Sequence, residues 1–135
     1  MTGTVGITSS RTGCLIMPNE WYKDQEYSIF LPAGSTLMCS DCYVEDEISY
    51  IDDGQITKVS DTIYFFNEDL EIYFYRNSLV PLTIIYGREI CYADYYIQDN
   101  KALFNLPKGA RVNGTIVEKA GEVLINTANS YLIEY

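Results

Sequence analysis

The stretch 61–97 limits the fold more tightly than any other part of the chain. It carries four dense apolar runs, 61–66, 70–75, 82–86 and 90–97, separated by polar links at 67–69 and 87–89. In 70–75, Leu70, Ile72 and Phe74 alternate with Glu71, Tyr73 and Tyr75, the period-two pattern of a half-buried strand. In 61–66 both sets are apolar, Ile63 and Phe65 against Tyr64 and Phe66, as in a strand near the middle of a sandwich. Runs this short, and this rich in β-branched and aromatic residues, favour strands over helices. The links through Asn67, Glu68 and Asp69 and through Gly87, Arg88 and Glu89 predict two hairpins, since Asn and Asp side chains start turns on their own backbone.

The same pattern continues on both sides. Short apolar segments at 13–17, 27–31, 35–39, 41–51, 55–60, 102–106, 110–117, 122–125 and 131–135 are punctuated by Pro, Gly, Asn and Asp. Asp52, Asp53 and Gly54 predict a tight turn pairing 41–51 with 55–60. About ten short strands with turn signals every 8–12 residues predict an all-β fold, an antiparallel β-sandwich or a jelly-roll-like barrel. A chain of 135 residues suits one such domain, assigned to 13–135. The Gly/Thr/Ser-rich segment 1–12, anchored only by Val5 and Ile7, reads as a flexible N-terminal arm.

One internal echo stands out. Residues 31–37 and 106–112 both fit Leu-Pro-x-Gly-small-x-aliphatic. Pro sets the start of a turn and Gly relaxes its end, so each motif stops a strand and starts another. The motif would fit a duplicated half, but nothing downstream of it aligns without gaps, so the expected reading is the ordinary recurrence of Pro-x-Gly turns in β proteins.

Charge excludes some partners. With 9 basic and 19 acidic side chains the formal charge is −10, and the nine cations are scattered rather than gathered in a stripe. Such a chain is repelled by phosphate backbones and anionic lipid, so neither nucleic acid nor membrane is an expected partner. A basic protein surface, or calcium, suits the charge better. The first residues lack the basic and apolar regions of a secretory leader, so synthesis in the cytoplasm is expected, where disulfides are rare.

Histidine is absent, which removes the commonest general base and every Ser-His or Cys-His scheme. No catalytic residue and no cofactor are assigned. Cys39 and Cys42 have zinc-knuckle spacing, and Cys14 with Cys91 would complete a four-thiolate set. A second C-x-x-C is missing, however, and Cys14 and Cys91 lie in apolar runs, where they read as small buried hydrophobes. Acidic residues cluster at Asp41, Glu45, Asp46, Glu47, Asp52 and Asp53 and again at Glu68, Asp69 and Glu71. Paired carboxylates among Glu45, Glu47 and Glu71 would serve a hydrolase, and the cluster could gather calcium. No calcium-loop spacing occurs, and solvated strand faces and turns account for the same residues.

Thirteen tyrosines and five phenylalanines leave aromatic faces to explain. Tyr73 and Tyr75 share one outward face, Tyr92 and Tyr96 another, and Trp21 and Tyr22 lie in an expected loop. Rigid amphipathic rings suit protein interfaces and also stack on sugars, while cross-strand pairing within the sheet is the plainer use. In its unsignalled start, Gly/Thr/Ser-rich arm, missing His and acidic Tyr-rich sheet, the chain resembles small β-rich virion accessory proteins of tailed phages, such as those that decorate capsids. That resemblance implies a non-enzymatic structural protein of a virion that binds neighbouring protein subunits, itself included. A carbohydrate-binding sandwich is the alternative, and a carboxylate hydrolase the third.

Overall fold

The computed structural model describes residues 13–21, 23–78, 80–86, 93–96 and 99–134, with backbone alone at 86 and 93–96. The fold is all-β, as the alternation predicts. In chain order the strands are β1 (Gly13–Ile16), β2 (Glu26–Leu31), β3 (Thr36–Met38) and β4 (Cys42–Val44), then the short helix α1 (Glu47–Asp52). After it come β5 (Ile56–Ser60), β6 (Ile63–Phe66), β7 (Leu70–Arg76), β8 (Thr83–Tyr86) and β9 (Ala93–Tyr96). The last are β10 (Lys101–Leu106), β11 (Arg111–Val112), β12 (Thr115–Ile116), β13 (Gly121–Asn126) and β14 (Tyr131–Glu134).

They form three sheets rather than the two of a simple sandwich. A large sheet runs β12-β11-β14-β1-β8-β3-β6-β5, and two small ones run β2-β7-β4 and β13-β10-β9. Each face of the large sheet carries its own core. Leu15, Ile84, Leu37 and Tyr64 are cross-strand neighbours on one face, where Ile84, Leu37 and Tyr64 join Tyr27, Ile29, Ile72 and Phe74 of the β2-β7-β4 sheet. Ile133, Cys14 and Ile85 line up on the other, packing with Ala102, Phe104 and Ile125 of the β13-β10-β9 sheet. The centre of the large sheet is therefore buried on both sides, which is why Thr83, Ile84 and Ile85 of β8 are all buried.

Neither predicted hairpin forms. β6 pairs with β3 and β5, while β7 pairs with β2 and β4, so the link 67–69 crosses from one sheet to the other. Its polar residues hold that crossing: the Asn67 amide donates to Gly54 O at 3.0 Å and to Thr57 Oγ1 at 2.8 Å, and Asp69 accepts from the Ala33 N–H at 2.8 Å. Likewise β8 pairs with β1 and β3, and β9 with β10. The expected strand 41–51 stops at Val44 and continues as α1, whose end is closed by Gly54 at φ 75°. Consequently β5 makes its hairpin with β6 instead.

The motif echo marks a structural repeat. Both copies are corners that carry the chain from a small sheet into the large one, β2 to β3 and β10 to β11. At each corner Gly takes a left-handed backbone, φ +88° at Gly34 and +93° at Gly109, and the residue after it bonds the proline carbonyl at 3.2 Å. Gly34 N then donates to Phe66 O at 2.8 Å and Gly109 N to Val117 O at 2.9 Å. The ladders that follow agree in register. In β2–β7, Leu31 faces Leu70 and Glu26 faces Tyr75; in β10–β13, Leu106 faces Gly121 and Lys101 faces Asn126. β3 lies between β6 and β8, as β11 lies between β12 and β14. Finally β8 and β14 flank β1 on its two sides, both antiparallel to it. The five-strand unit β2-β3-β6-β7-β8 thus recurs as β10-β11-β12-β13-β14, with its small sheet on the opposite face. Strand β1 belongs to neither unit. Its Gly13 is closely approached: a Cβ there would strike the Ile133 carbonyl oxygen.

Candidate functional site

The outer face of the β2-β7-β4 sheet gathers the aromatic side chains that the core does not use. Alternation along β7 sends Leu70, Ile72 and Phe74 inward and Glu71, Tyr73 and Tyr75 outward. β4 sends Val44 inward and Tyr43 outward, while β2 turns Glu26, Ser28 and Phe30 to the same outer side. The register then fixes rows across the face. Glu26, Tyr75 and Tyr43 form one row, Ser28 and Tyr73 the next, and Phe30 with Glu71 the third. Glu45 continues β4 beside Tyr73, its N–H donating to Tyr73 O at 2.9 Å.

Directly opposed residues on one sheet face bring their rings and stems together. A shallow cleft of about 250 Å³ opens between Tyr43, Tyr73 and Tyr75, with Glu26 and Glu45 on its walls. Tyr43 is 72% exposed, Phe30 and Tyr73 41% and Tyr75 39%, so ring surface on this face is left in water. The tyrosine hydroxyls are tied to carboxylates: Tyr73 donates to Glu71 Oε1 and Tyr75 to Asp24 Oδ1, each at 3.1 Å. Those hydrogen bonds, first, raise both phenols above their ordinary value, so they remain donors. At this rim Lys23 is paired with Asp24 at 3.4 Å.

A second cleft, about 400 Å³, lies around α1 between Asp46, Glu47, Lys58, Asp61 and Tyr64. Lys58 Nζ stands 5.4 Å from the Tyr64 ring centroid and 3.3 Å from Glu47 Oε1. Burial, then a hydrogen bond with Glu47, pushes the Tyr64 phenol well above its ordinary value. Here the chain supplies its own cation to an aromatic ring and a carboxylate.

Of the residues singled out from sequence, Tyr73 and Tyr75 come together on the outer face. Trp21 does not join them: it is half-buried against the first core, edge-on to Tyr27 with ring centroids 4.3 Å apart. Tyr96 sits on β9 opposite Lys101, and Tyr22 and Tyr92 lie outside the described residues. Glu45 and Glu71 flank Tyr73, whereas Glu47 points to the other cleft. Among the described residues no group of three or more Cys, Asp or Glu is placed to hold a metal ion. Cys39 and Cys42 are joined in a disulfide with Cα atoms 5.8 Å apart, within the usual span. Cys14 is disulfide-bonded too, in the other core, and Cys91 lies outside the described residues. Cys14 lies in the second core while Cys39 and Cys42 lie at the first, so the described cysteines do not converge on one four-thiolate set.

Two residues escaped the sequence reading. Tyr43 was hidden in a segment expected to be one long strand. Arg76 continues the inward series Leu70, Ile72, Phe74, and that parity was the available signal. It is 1% exposed, and the hydrogen bonds shown for its guanidinium go to main-chain carbonyls. It donates to the carbonyls of Trp21 (2.9 Å), Ser78 (3.1 Å), Asn19 (3.4 Å) and Val80, clamping two loops beside the aromatic face. Burial, the largest influence, lowers its basicity from the ordinary value.

No helix among the described residues is long and apolar enough to cross a membrane. Compared with known proteins, the chain matches no family model, no curated protein and no solved structure.

Proposed function

We propose that the domain is a non-enzymatic interaction module that docks a neighbouring protein subunit through the outer face of the β2-β7-β4 sheet. The observation that carries this reading is the group of exposed rings, Tyr43, Tyr73, Tyr75 and Phe30, spread over three rows of one sheet face and backed by the first core. Tyr is enriched at the centres of interfaces, where its ring gives contact area and its hydroxyl a hydrogen bond. An accessory role in a virion, among copies of itself and a shell protein, is the setting that fits the acidic, Tyr-rich, β-rich character. No cofactor and no reaction belong to this reading.

The test is co-purification with the products of the adjacent reading frames, using the whole chain and a Tyr43→Ala, Tyr73→Ala, Tyr75→Ala variant. One neighbour held by the original protein and released by the variant, with an unchanged far-ultraviolet spectrum, is the expected result. Equal retention by both overturns the assignment of the face. A carbohydrate-binding role draws on the same cleft, because Glu26 and Glu45 beside tyrosine rings also suit a sugar. A monomer by light scattering that binds oligosaccharides on a glycan array, and loses them in the triple variant, would replace the protein partner with a sugar.

A further inference from the structure

We infer that the residue seated on this face is a cationic side chain, arginine or lysine, carried by an extended segment of the partner; the inference rests on the docking reading above. Three observations converge. The walls of the cleft offer only tyrosine rings and carboxylates, from Tyr43, Tyr75, Glu26 and Glu45, apart from the apolar floor. The phenol hydroxyls of Tyr73 and Tyr75 already point into Glu71 and Asp24, so those two residues present mainly ring surface beside negative charge. Such a setting attracts a cation twice, through the ring quadrupole and through the carboxylate.

The molecule itself contains the filled counterpart. In the neighbouring cleft Lys58 lies over Tyr64 and against Glu47, the same two chemical partners with the ammonium supplied in cis. On the outer face the ring and carboxylate are present, while among the described residues the ammonium at its rim, Lys23, is engaged by Asp24. Tyr43 borders both clefts. The internal repeat sharpens the point. At the equivalent positions of the second unit, Glu26 is replaced by Lys101, Tyr73 by Leu124 and Tyr75 by Asn126, so the framework does not demand this chemistry.

The experiment titrates isotope-labelled whole protein with three acetylated pentapeptides, identical except for arginine, lysine or citrulline at the centre, and follows backbone amide shifts. The arginine and lysine peptides are expected to shift Glu26, Tyr43 and Tyr75, with affinity falling as salt is added. Citrulline keeps the shape and removes the charge, and is expected to bind about ten-fold more weakly, the size of one well-desolvated cation–ring contact. A Glu26→Gln, Glu45→Gln variant should weaken the charged peptides and leave citrulline unchanged. If citrulline binds as tightly as arginine, or if no peptide shifts these residues up to its solubility limit, the inference is wrong. The docking reading has its own separate failure, a partner that the triple tyrosine variant retains.

Discussion

The two five-strand units share their corners, ladders and register and differ in what they show to water. Inward positions keep their character from one unit to the other: Tyr27 and Ala102, Ile29 and Phe104, Leu31 and Leu106, Phe74 and Ile125 are all buried. Outward positions diverge, with Phe30 against Asn105 and Tyr73 against Leu124. Packing explains what the units have in common. What the equivalent strands of the second unit lack, Phe30, Tyr73 and Tyr75 turned outward and a buried guanidinium, is not explained by packing, and the docking role proposed above would account for it.

The sharpest way to test whether the units are one structure is to open each core. Phe74→Ala removes a ring from the first core and should cost about 4 kcal/mol, and Ile125→Ala in the second about 3 kcal/mol. Because both cores lean on β8 and β1, each variant should shift the whole unfolding transition. Urea denaturation followed by Trp21 fluorescence reports on the first core alone, and it should move even when the lesion is Ile125→Ala. A Trp21 transition that ignores that change would mean the units unfold separately.

Arg76 and Thr127 occupy equivalent places one residue past Tyr75 and Asn126, and both are buried. Arg76→Met strips donors from buried loop carbonyls and should cost about 3 kcal/mol, while Thr127→Val should cost under about 1 kcal/mol. Equal losses in denaturant midpoints would show that the guanidinium does not clamp the loops.

The corners should behave alike. Gly34→Ala and Gly109→Ala place a methyl on a left-handed backbone with open space around it, so each should lose about 1 kcal/mol through strain alone. A cost confined to one corner would break the repeat at its clearest point.

The smallest effect is confined to alkaline solution. The Tyr64 phenol is raised above its ordinary value of 10.0, mainly by burial, and Thr115 stands at the equivalent position with nothing to titrate. Unfolded tyrosine gives up its proton near pH 10 while the folded one keeps it, so the unfolded state binds fewer protons there. Stability from this group is complete below that pH and declines as pH rises through the folded value. Tyr64→Phe should flatten the decline, and an unchanged pH profile would put the cause elsewhere.

Three strands of the small sheets were legible because alternation and burial speak to the same residues: the runs expected at 27–31, 70–75 and 102–106 fold as β2, β7 and β10, each one residue longer. Their pairing was not legible. A three-residue polar link such as 67–69 serves a hairpin or a crossing between sheets equally well, and the difference lies in partners far away in sequence, Gly54 and Ala33. α1 went unread because six residues hold no helical period and bury nothing. The corner motif was visible, but the long excursion through β4, α1 and β5 separates β3 from β6 in the first unit only, which blurs any alignment. Register restores it. Of the site, Tyr73 and Tyr75 followed from parity, while Tyr43 and Arg76 required knowing where β4 and β7 end.

Strand β1 is the neighbour both units need, and it stands apart from each in sequence. A polypeptide severed in the connection before β10 would leave β14 with an open flank and nothing of its own to fill it. The missing piece would then be the upstream fragment, whose β1 offers a flank cut to measure by Gly13. Such halves should find one another when mixed, and side chains of β1 would decide how tightly. The pairing of β9 with β10 would be the second tie between those halves.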